Sequence, residues 1–267
     1  MGRVKPLVVA CIPAFNEEST VAKVIVKTRK HVDKVIVCDD GSTDMTGEIA
    51  EALGADVIRH GRNFGYGAAL ASLFSRAREL GADVMVTLDA DGQHDPDDIP
   101  RLVKPVIAGE ADIVIGSRFS GRGAGNIPSY RRVGIRMITA LVRKVSYKGI
   151  RDAQSGFRAY SKRAIELIRP AEMGMGVSTE ILMRASEYGL KIKEIPVTIS
   201  YGENTSTQNP LYHGLDVVLS TVKYFSTRHP LMFYGIPGVA SLIVASVSGL
   251  MLIHLFNVTR YFSLPLA

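Results

Sequence analysis

The sequence has no tryptophan and only two cysteines among its 267 residues. Cys11 and Cys38 each lie inside a short apolar run, so we predict two buried thiols in a reducing compartment, and a disulfide-stapled fold is excluded. The net charge of +6 suits phosphate-bearing ligands or anionic lipid as well as nucleic acid. Basic residues interleaved with stacking aromatic side chains are missing, which argues against a nucleic-acid binder.

Charged residues are also absent from Leu231 to Thr259, a stretch long enough to cross a lipid bilayer. We therefore predict a transmembrane segment over 230–259; the alternative, a buried core helix, fits so long an uncharged run poorly. Lys223 and Arg228 precede the segment, so the positive-inside rule predicts that the preceding domain is cytoplasmic. Residues 260–267 form a tail that resembles the start of a second apolar segment.

A signal-peptide cleavage site is missing at the N-terminus, where the apolar run passes directly into Pro13 and two glutamates. We interpret this run as a first buried strand. Short β-branched apolar runs then alternate with amphipathic stretches, which predicts an α/β fold with a mostly parallel sheet flanked by helices. The predicted strands are Leu7–Pro13, Lys34–Cys38, Asp56–Arg59, Asp83–Leu88, Asp112–Ile115 and Lys193–Ser200.

The helical stretches divide the chain into a catalytic domain over 1–210, an amphipathic helix over 211–229, and the membrane segment with its tail. The predicted helices of the first part are Asn16–Lys30, Thr43–Leu53, Gly67–Leu80, Asp97–Ala108, Tyr130–Lys148 and Val177–Tyr188. The helix over 130–148 carries six basic residues beside apolar ones, which is typical of helices that lie on anionic lipid.

The acidic turn at Asp89 and Asp91 follows the apolar strand-like run VMVTL. Carboxylates at i and i+2 on a strand end share one face and can bind a hard divalent cation, with phosphate oxygens, water, Gln93 or His94 completing the ligands. Such an ion offsets the charge of a diphosphate leaving group. The alternative is an acidic turn that caps the next helix, and for Asp95 we prefer that interpretation.

A second acidic turn, Asp39–Asp40, follows the second predicted strand. Ligands of open parallel sheets bind beyond the carboxyl ends of the strands, so carboxylates here can accept hydrogen bonds from a nucleobase or ribose. Alternatively, Ser42 or Asp44 simply caps the next helix. The PAFNEE segment after the first strand is predicted to form the other wall of a nucleotide pocket.

Arginine binds phosphate with two hydrogen bonds, so Arg118, Arg131 and Arg132 are candidates to hold the phosphate of an anionic lipid head group. Each of them alone also fits a solvated or lipid-facing charge.

The motifs PAFNEE, VIVCDDGSTD, NFGYGAAL, TLDADGQHDP, IVIGSR and DAQSGFRAY occur in this order over residues 7 to about 200. In that order they resemble the family 2 glycosyltransferases, and more narrowly the dolichyl-phosphate mannose or glucose synthases. The resemblance implies a GT-A fold, an inverting mechanism and a requirement for Mg²⁺ or Mn²⁺. It also implies these roles: nucleotide contacts from Pro13, Ala14, Glu17, Asp39, Asp40 and Asp89; metal or diphosphate contacts from Asp89, Asp91 and Gln93; and phosphate binding by Arg118.

Asp152 of DAQSGFRAY matches the position at which the family places a base or a carboxylate that orients the acceptor. A lipid phosphate is already ionised near neutral pH, so no strong base is needed, and we expect Asp152 to orient a basic residue instead. Ser155, Gly156 and Phe157 then form a turn at the sugar pocket, although Phe157 alone also fits core packing.

We therefore predict hexose transfer from a GDP-mannose or UDP-glucose type of donor to a polyprenyl phosphate at the cytoplasmic membrane face. The segment YGENTSTQNPLYHG lacks the basic residue that the mannose synthases share, so the donor stays open, as does another lipid or glycan acceptor. A sugar-phosphate nucleotidyltransferase should have a basic, glycine-rich loop after the first strand, where this chain is acidic. The sequence does not indicate an oligomeric state.

Overall fold

The computed structural model describes residues 5–118, 150–198, 226 and 230–260. Its strands are β1 (Val8–Ala14), β2 (Lys34–Asp39), β3 (Asp56–Arg59), β4 (Val84–Thr87), β5 (Ile113–Ser117), β6 (Arg158–Ser161) and β7 (Ile192–Pro196). Its helices are α1 (Val21–Thr28), α2 (Thr46–Ala52), α3 (Tyr66–Glu79), α4 (Ile99–Ile107), α5 (Lys162–Leu167), α6 (Val177–Glu187) and α7 (Ile236–Thr259).

The described strands form one seven-stranded sheet in the order β3-β2-β1-β4-β6-β5-β7. All neighbouring pairs are parallel except those of β6, which runs antiparallel between β4 and β5. The prediction of a mostly parallel sheet is confirmed. Neither β6 nor α5 is predicted from the sequence.

Two apolar layers cover the sheet, because alternate residues of each strand face opposite sides. Val9 and Cys11 of β1 pack with α3, α5 and α6, whereas Val8, Ala10 and Ile12 pack with α1, α2 and α4. Every residue of β1 is buried, as expected for a strand with helices on both faces. Both cysteines are buried and free, as predicted.

The first predicted helix was placed too early, because α1 begins at Val21 rather than at Asn16. Asn16 has a φ of 54°, which is incompatible with a right-handed helix. The backbone N–H groups of Glu17 and Glu18 donate instead to Thr46 Oγ1 and to the Asp44 carboxylate. The two glutamates therefore lie in a loop held by its neighbour, not in the first turn of α1.

Smaller differences concern the ends of other elements. The helix predicted from Asp97 is a 3₁₀ turn over Pro96–Asp98 followed by α4, and Asp95 caps it as predicted by accepting from the Asp97 N–H at 3.4 Å. The last strand spans Ile192–Pro196 rather than residues 193–200. The helices predicted over 130–148 and 211–229 and most of the tail lie outside the described residues, apart from the isolated Ser226.

The chain divides into two compact units, Met1–Ser220 and Thr221–Ala267. In the second unit a π-helical turn, Leu231–Gly235, leads into α7, and the run Leu231–Thr259 is long and apolar enough to cross a membrane. Its large apolar side chains are exposed, and such a surface is stable in contact with lipid rather than water. The predicted apolar helix is therefore present.

Candidate active site

The carboxyl ends of β1, β2, β4 and β5 meet at one edge of the sheet, and most predicted site residues lie there. Pro13 and Ala14 end β1, Asp39 ends β2, and Arg118 directly follows β5. Because β6 is antiparallel, the segment 150–157 that precedes it arrives at the same edge. Arg131 and Arg132 lie outside the described residues.

The loops after β1 and β2 are joined by hydrogen bonds. The Asn16 N–H donates to Ser42 Oγ at 2.9 Å, and the Thr43 N–H donates to Asn16 Oδ1 at 2.8 Å. Asp44 accepts from the N–H of Thr46, the first residue of α2, but the N-cap of that helix is Met45, and Ser42 joins the two loops. These bonds form one continuous wall at the sheet edge.

Glu17 extends from this wall toward the acidic turn after β4. Its carboxylate accepts from Thr20 Oγ1 at 2.9 Å. Burial raises the pKa of Glu17, the bond from Thr20 opposes that rise, and the charges of Asp89 and Asp44 add to it. Because β1 and β4 are neighbouring parallel strands, the loops that follow them lie at the same edge of the sheet.

The two aspartates after β2 differ in their contacts. Asp39 is buried and accepts the Ser42 N–H at 2.9 Å. Asp40 accepts the N–H groups of Phe64 and Gly65, at 3.1 and 2.8 Å, and pairs with His60. These three bonds favour a role for Asp40 in holding the β3–α3 loop rather than in contacting a nucleotide directly.

Asp89 and Asp91 lie in a turn, not along a strand, because β4 ends at Thr87 and Gly92 turns the chain with a φ of 71°. The strand-alternation argument for a shared face was therefore wrong in its geometry. Asp89 Oδ1 accepts the Tyr66 hydroxyl at 3.0 Å, and Asp91 Oδ1 accepts the N–H of Gln93 at 2.9 Å. The Asp89 side chain is 31% exposed.

Oxygen ligands of this kind fit a hard divalent cation. Within the described ranges, no group of three or more histidine, cysteine, aspartate or glutamate side chains is arranged to hold a metal ion. Buried His94 adds a nitrogen 3.8 Å from Asp89 Oδ2, and in the described part of the chain that Nδ1 has no hydrogen-bond partner. Burial lowers the pKa of His94 and keeps it neutral despite Asp89. The residues fit a cation that takes its other ligands from phosphate and water.

Arg118 and Asp152 form a buried bidentate ion pair. Nε and Nη2 of Arg118 lie 2.7 and 2.6 Å from the carboxylate oxygens, and the Arg118 N–H donates to the same group at 3.1 Å. The Glu194 carboxylate of β7 accepts the backbone N–H of Asp152 at 2.8 Å and so holds the backbone of Asp152 in place. The expectation that Asp152 orients a basic residue agrees with this geometry.

The same pair makes Asp152 a poor base. Its burial would raise the pKa of the carboxyl, but the charge and hydrogen bonds of Arg118 outweigh burial and hold that pKa below its usual range. A carboxylate that binds protons weakly and accepts three bonds is suited to positioning an arginine, not to removing a proton.

The structure adds Arg158, which the sequence interpretation quoted in a motif but gave no role. Its side chain is 1% exposed and donates to the backbone oxygens of Ala153, Ser155 and Ser178 at 2.8, 2.8 and 3.1 Å. It therefore fixes the segment between Asp152 and β6. The only local signal was a charged residue inside the apolar run FRAY.

Comparison with known proteins shows the family of this chain. The pattern of Glycosyl transferase family 2 matches residues 9–169. A UDP-N-acetylglucosamine–dolichyl-phosphate N-acetylglucosaminyltransferase from Methanococcus voltae is 33% identical over 218 residues, covering 74% of this chain and 87% of that protein. An undecaprenyl-phosphate mannosyltransferase from Micrococcus luteus is 33% identical over 202 residues, covering 72% and 82%.

Among solved structures, glucosyl-3-phosphoglycerate synthase from Mycobacterium tuberculosis, in complex with Mn²⁺, UDP and glucosyl-3-phosphoglycerate, has a TM-score of 0.64 and 24% identity. The likeness covers 82% of this chain and 79% of that one, and it shows a shared fold. The expected GT-A type of fold is thereby confirmed. From the family match over most of the first compact unit, the chain belongs to glycosyl transferase family 2.

Proposed function

We propose that this protein transfers a hexose, with inversion, from a nucleoside diphosphate sugar to a polyprenyl phosphate at the cytoplasmic face of a membrane. One observation carries the proposal. The segment 152–156 lies against both the proposed acceptor residue Arg118 and the proposed metal ligand Asp89. Asp152 binds Arg118, and a Cβ placed on Gly156 would lie 2.9 Å from the Asp89 oxygens. Donor diphosphate and acceptor phosphate would meet along this segment.

The donor side is assigned to the acidic turns and the β1 wall. We infer nucleotide contacts from Pro13, Ala14, Glu17 and Asp39, with Asp40 acting through the loop it holds. The named relatives differ in the sugar they transfer, N-acetylglucosamine in one and mannose in the other, at the same 33% identity. Overall similarity therefore does not choose the sugar.

We infer that Asp89 and Asp91, with Gln93 beside them, would hold a divalent cation, Mg²⁺ or Mn²⁺. When bound, such an ion neutralises charge on the diphosphate leaving group. The fold neighbour in complex with Mn²⁺ and UDP supports this inference. Asp89 and Asp91 would hold that cation at the edge of the sheet where the proposed nucleotide contacts lie, and the donor would then be held with its sugar carbon toward the acceptor.

On the acceptor side, Arg118 is the group that we expect to bind phosphate. Asp152 holds the guanidinium plane in place, so little side-chain freedom is lost when phosphate binds. The acceptor oxygen is ionised near neutral pH and attacks the sugar carbon without first losing a proton. Inversion follows if the phosphate approaches from the side opposite the leaving diphosphate.

The membrane part of the proposal rests on the apolar run Leu231–Thr259 and on the polyprenyl acceptors named for the relatives. Arg131 and Arg132 are proposed to draw the lipid phosphate toward Arg118. Removal of residues 230–267 should release the protein from the membrane fraction while leaving nucleotide binding unchanged. Retention in that fraction would assign anchoring to another segment.

The activity is tested by offering membranes that contain the full chain a panel of labelled UDP- and GDP-sugars with Mg²⁺ or Mn²⁺. We expect label in a lipid that releases sugar in mild acid, and no label with Asp91→Asn. Asp97→Asn is the matched control, because Asp97 is exposed on the 3₁₀ turn and should retain full activity. Label in a water-soluble product would refute the lipid acceptor, and no transfer with any donor would refute the whole proposal.

A further inference from the structure

Tyr66 is the first residue of α3, and its hydroxyl donates to Asp89 Oδ1 at 3.0 Å. The phenolic O–H is the donor of this hydrogen bond and the carboxylate oxygen is its acceptor. This hydrogen bond uses one lone pair of Asp89 Oδ1 and does not involve Oδ2, the second oxygen of the carboxylate.

Gly156 closes the space on another side of this pair. A Cβ at this position would lie 2.8 Å from the Tyr66 hydroxyl oxygen and 2.9 Å from both Asp89 oxygens, so a larger residue would displace one of these two side chains. The Gly156 carbonyl is itself fixed, because it accepts from Thr87 Oγ1 at 2.7 Å. Asp89 is thus confined between a hydroxyl from α3 and backbone from the segment before β6.

The backbone on both sides of Tyr66 is held by distant parts of the chain. Asp40 binds the N–H groups of Phe64 and Gly65, and the Met173 carbonyl oxygen accepts from the Gly67 N–H at 2.7 Å. Gly65 has a φ of 99°, and a Cβ there would lie 2.6 Å from the Met173 oxygen. The phenol consequently has little freedom to leave Asp89.

We propose that Tyr66 is a positioning residue that orients the Asp89 carboxylate for the divalent cation, an inference that rests on the proposed function. Hydrogen bonds from such outer residues set the orientation of metal-binding groups, and their loss typically weakens metal affinity about 10–100-fold. Tyr66 contacts neither substrate nor metal in this role. Its effect passes through one carboxylate, so metal binding should respond more strongly than the fold.

The test compares Tyr66→Phe with Tyr188→Phe in the full chain. Tyr188 lies at the far end of α6 and carries the same hydroxyl without a role at the site. Mn²⁺ binding is measured by titration in the presence of UDP or GDP, together with thermal unfolding. We expect Tyr66→Phe to weaken Mn²⁺ binding about 10-fold or more with an unchanged Tm, and Tyr188→Phe to bind as the unmodified protein does.

Equal Mn²⁺ affinity in Tyr66→Phe and the unmodified protein would overturn the role of Tyr66. If the unmodified protein itself bound no Mn²⁺ with either nucleotide, the proposed function would fail instead, so the two failures are distinct. If Tyr66→Phe folds poorly, the Mn²⁺ affinity of Gly156→Ala provides a second test. Its methyl group would displace the same carboxylate, so it should also weaken Mn²⁺ binding, and unchanged affinity there would count against the proposal.

Discussion

Replacing Asp152 by asparagine tests how much the buried ion pair of Asp152 and Arg118 contributes to stability. The asparagine side chain keeps the volume of aspartate but loses its charge, and its amide group directs N–H donors toward the N–H donors of Arg118. Asp152 is 0% exposed and the Arg118 side chain is 18% exposed, so water screens the unpaired guanidinium poorly. The change leaves a charge in the interior with a single good acceptor.

Removing one member of a buried pair typically costs about 3–5 kcal/mol of unfolding free energy. In a domain of this size, each 1 kcal/mol lowers the Tm by about 2–4 °C, so we expect a drop on the order of 10 °C. Because the chain has no tryptophan, circular dichroism in detergent is the suitable probe of unfolding. Sugar transfer measured on the same preparations should be abolished.

The double variant Arg118→Met/Asp152→Leu separates stability from function. With both charges removed, no buried charge is left without a partner, so most of the lost stability should return while transfer stays absent. A Tm drop below about 2 °C for Asp152→Asn would refute the reasoning about burial. Transfer by the double variant would refute the role of Arg118 in phosphate binding.

Three further predictions follow from other parts of the fold. Burial raises the pKa of Cys38 to about 12 and that of Cys11 still higher, so neither thiol should be alkylated at pH 8 until the protein is unfolded, as mass spectrometry would show. Gly67→Ala should destabilise by about 1–3 kcal/mol, because its Cβ would lie 1.9 Å from a backbone oxygen, whereas Gly61→Ala meets nothing within 4 Å and should leave the Tm unchanged. Folding lowers the pKa of Asp152, so its ion pair stabilises the protein above the ordinary carboxyl pKa and loses that effect in acid. The difference in Tm between the unmodified protein and Asp152→Asn should therefore narrow below about pH 4. A difference that stays constant with pH would contradict this.

The parallel part of the sheet was predictable because its signal is local. Strands buried on both faces need continuous apolar runs, and β1, β2 and β4 have them. The strand β6 gives no such signal, because it is four residues long and begins with an arginine. Arg158 is tolerated inside because three carbonyl oxygens accept its hydrogen bonds, two from the segment just before β6 and one from Ser178 of α6.

The site was predictable in its place but not in its contacts. Carboxyl ends of parallel strands share an edge, and this placed Asp39, Asp89 and Arg118 together. The roles of Asp40 and Tyr66 depend on bonds to residues more than 20 positions away in the chain. Periodicity carries no information on such pairs, so the acidic turn after β2 was interpreted as uniform although its two carboxylates have different partners.

The antiparallel direction of β6 brings both ends of the segment between β5 and β6 to one edge of the sheet. Because β5 ends and β6 begins at the same sheet edge, the chain leaves the sheet at Ser117 and re-enters it at Arg158, which pairs with Thr87. Neither strand pairing of β6 involves residues 119–149. A chimera that exchanges residues 119–149 between relatives is therefore expected to keep both strand pairings of β6.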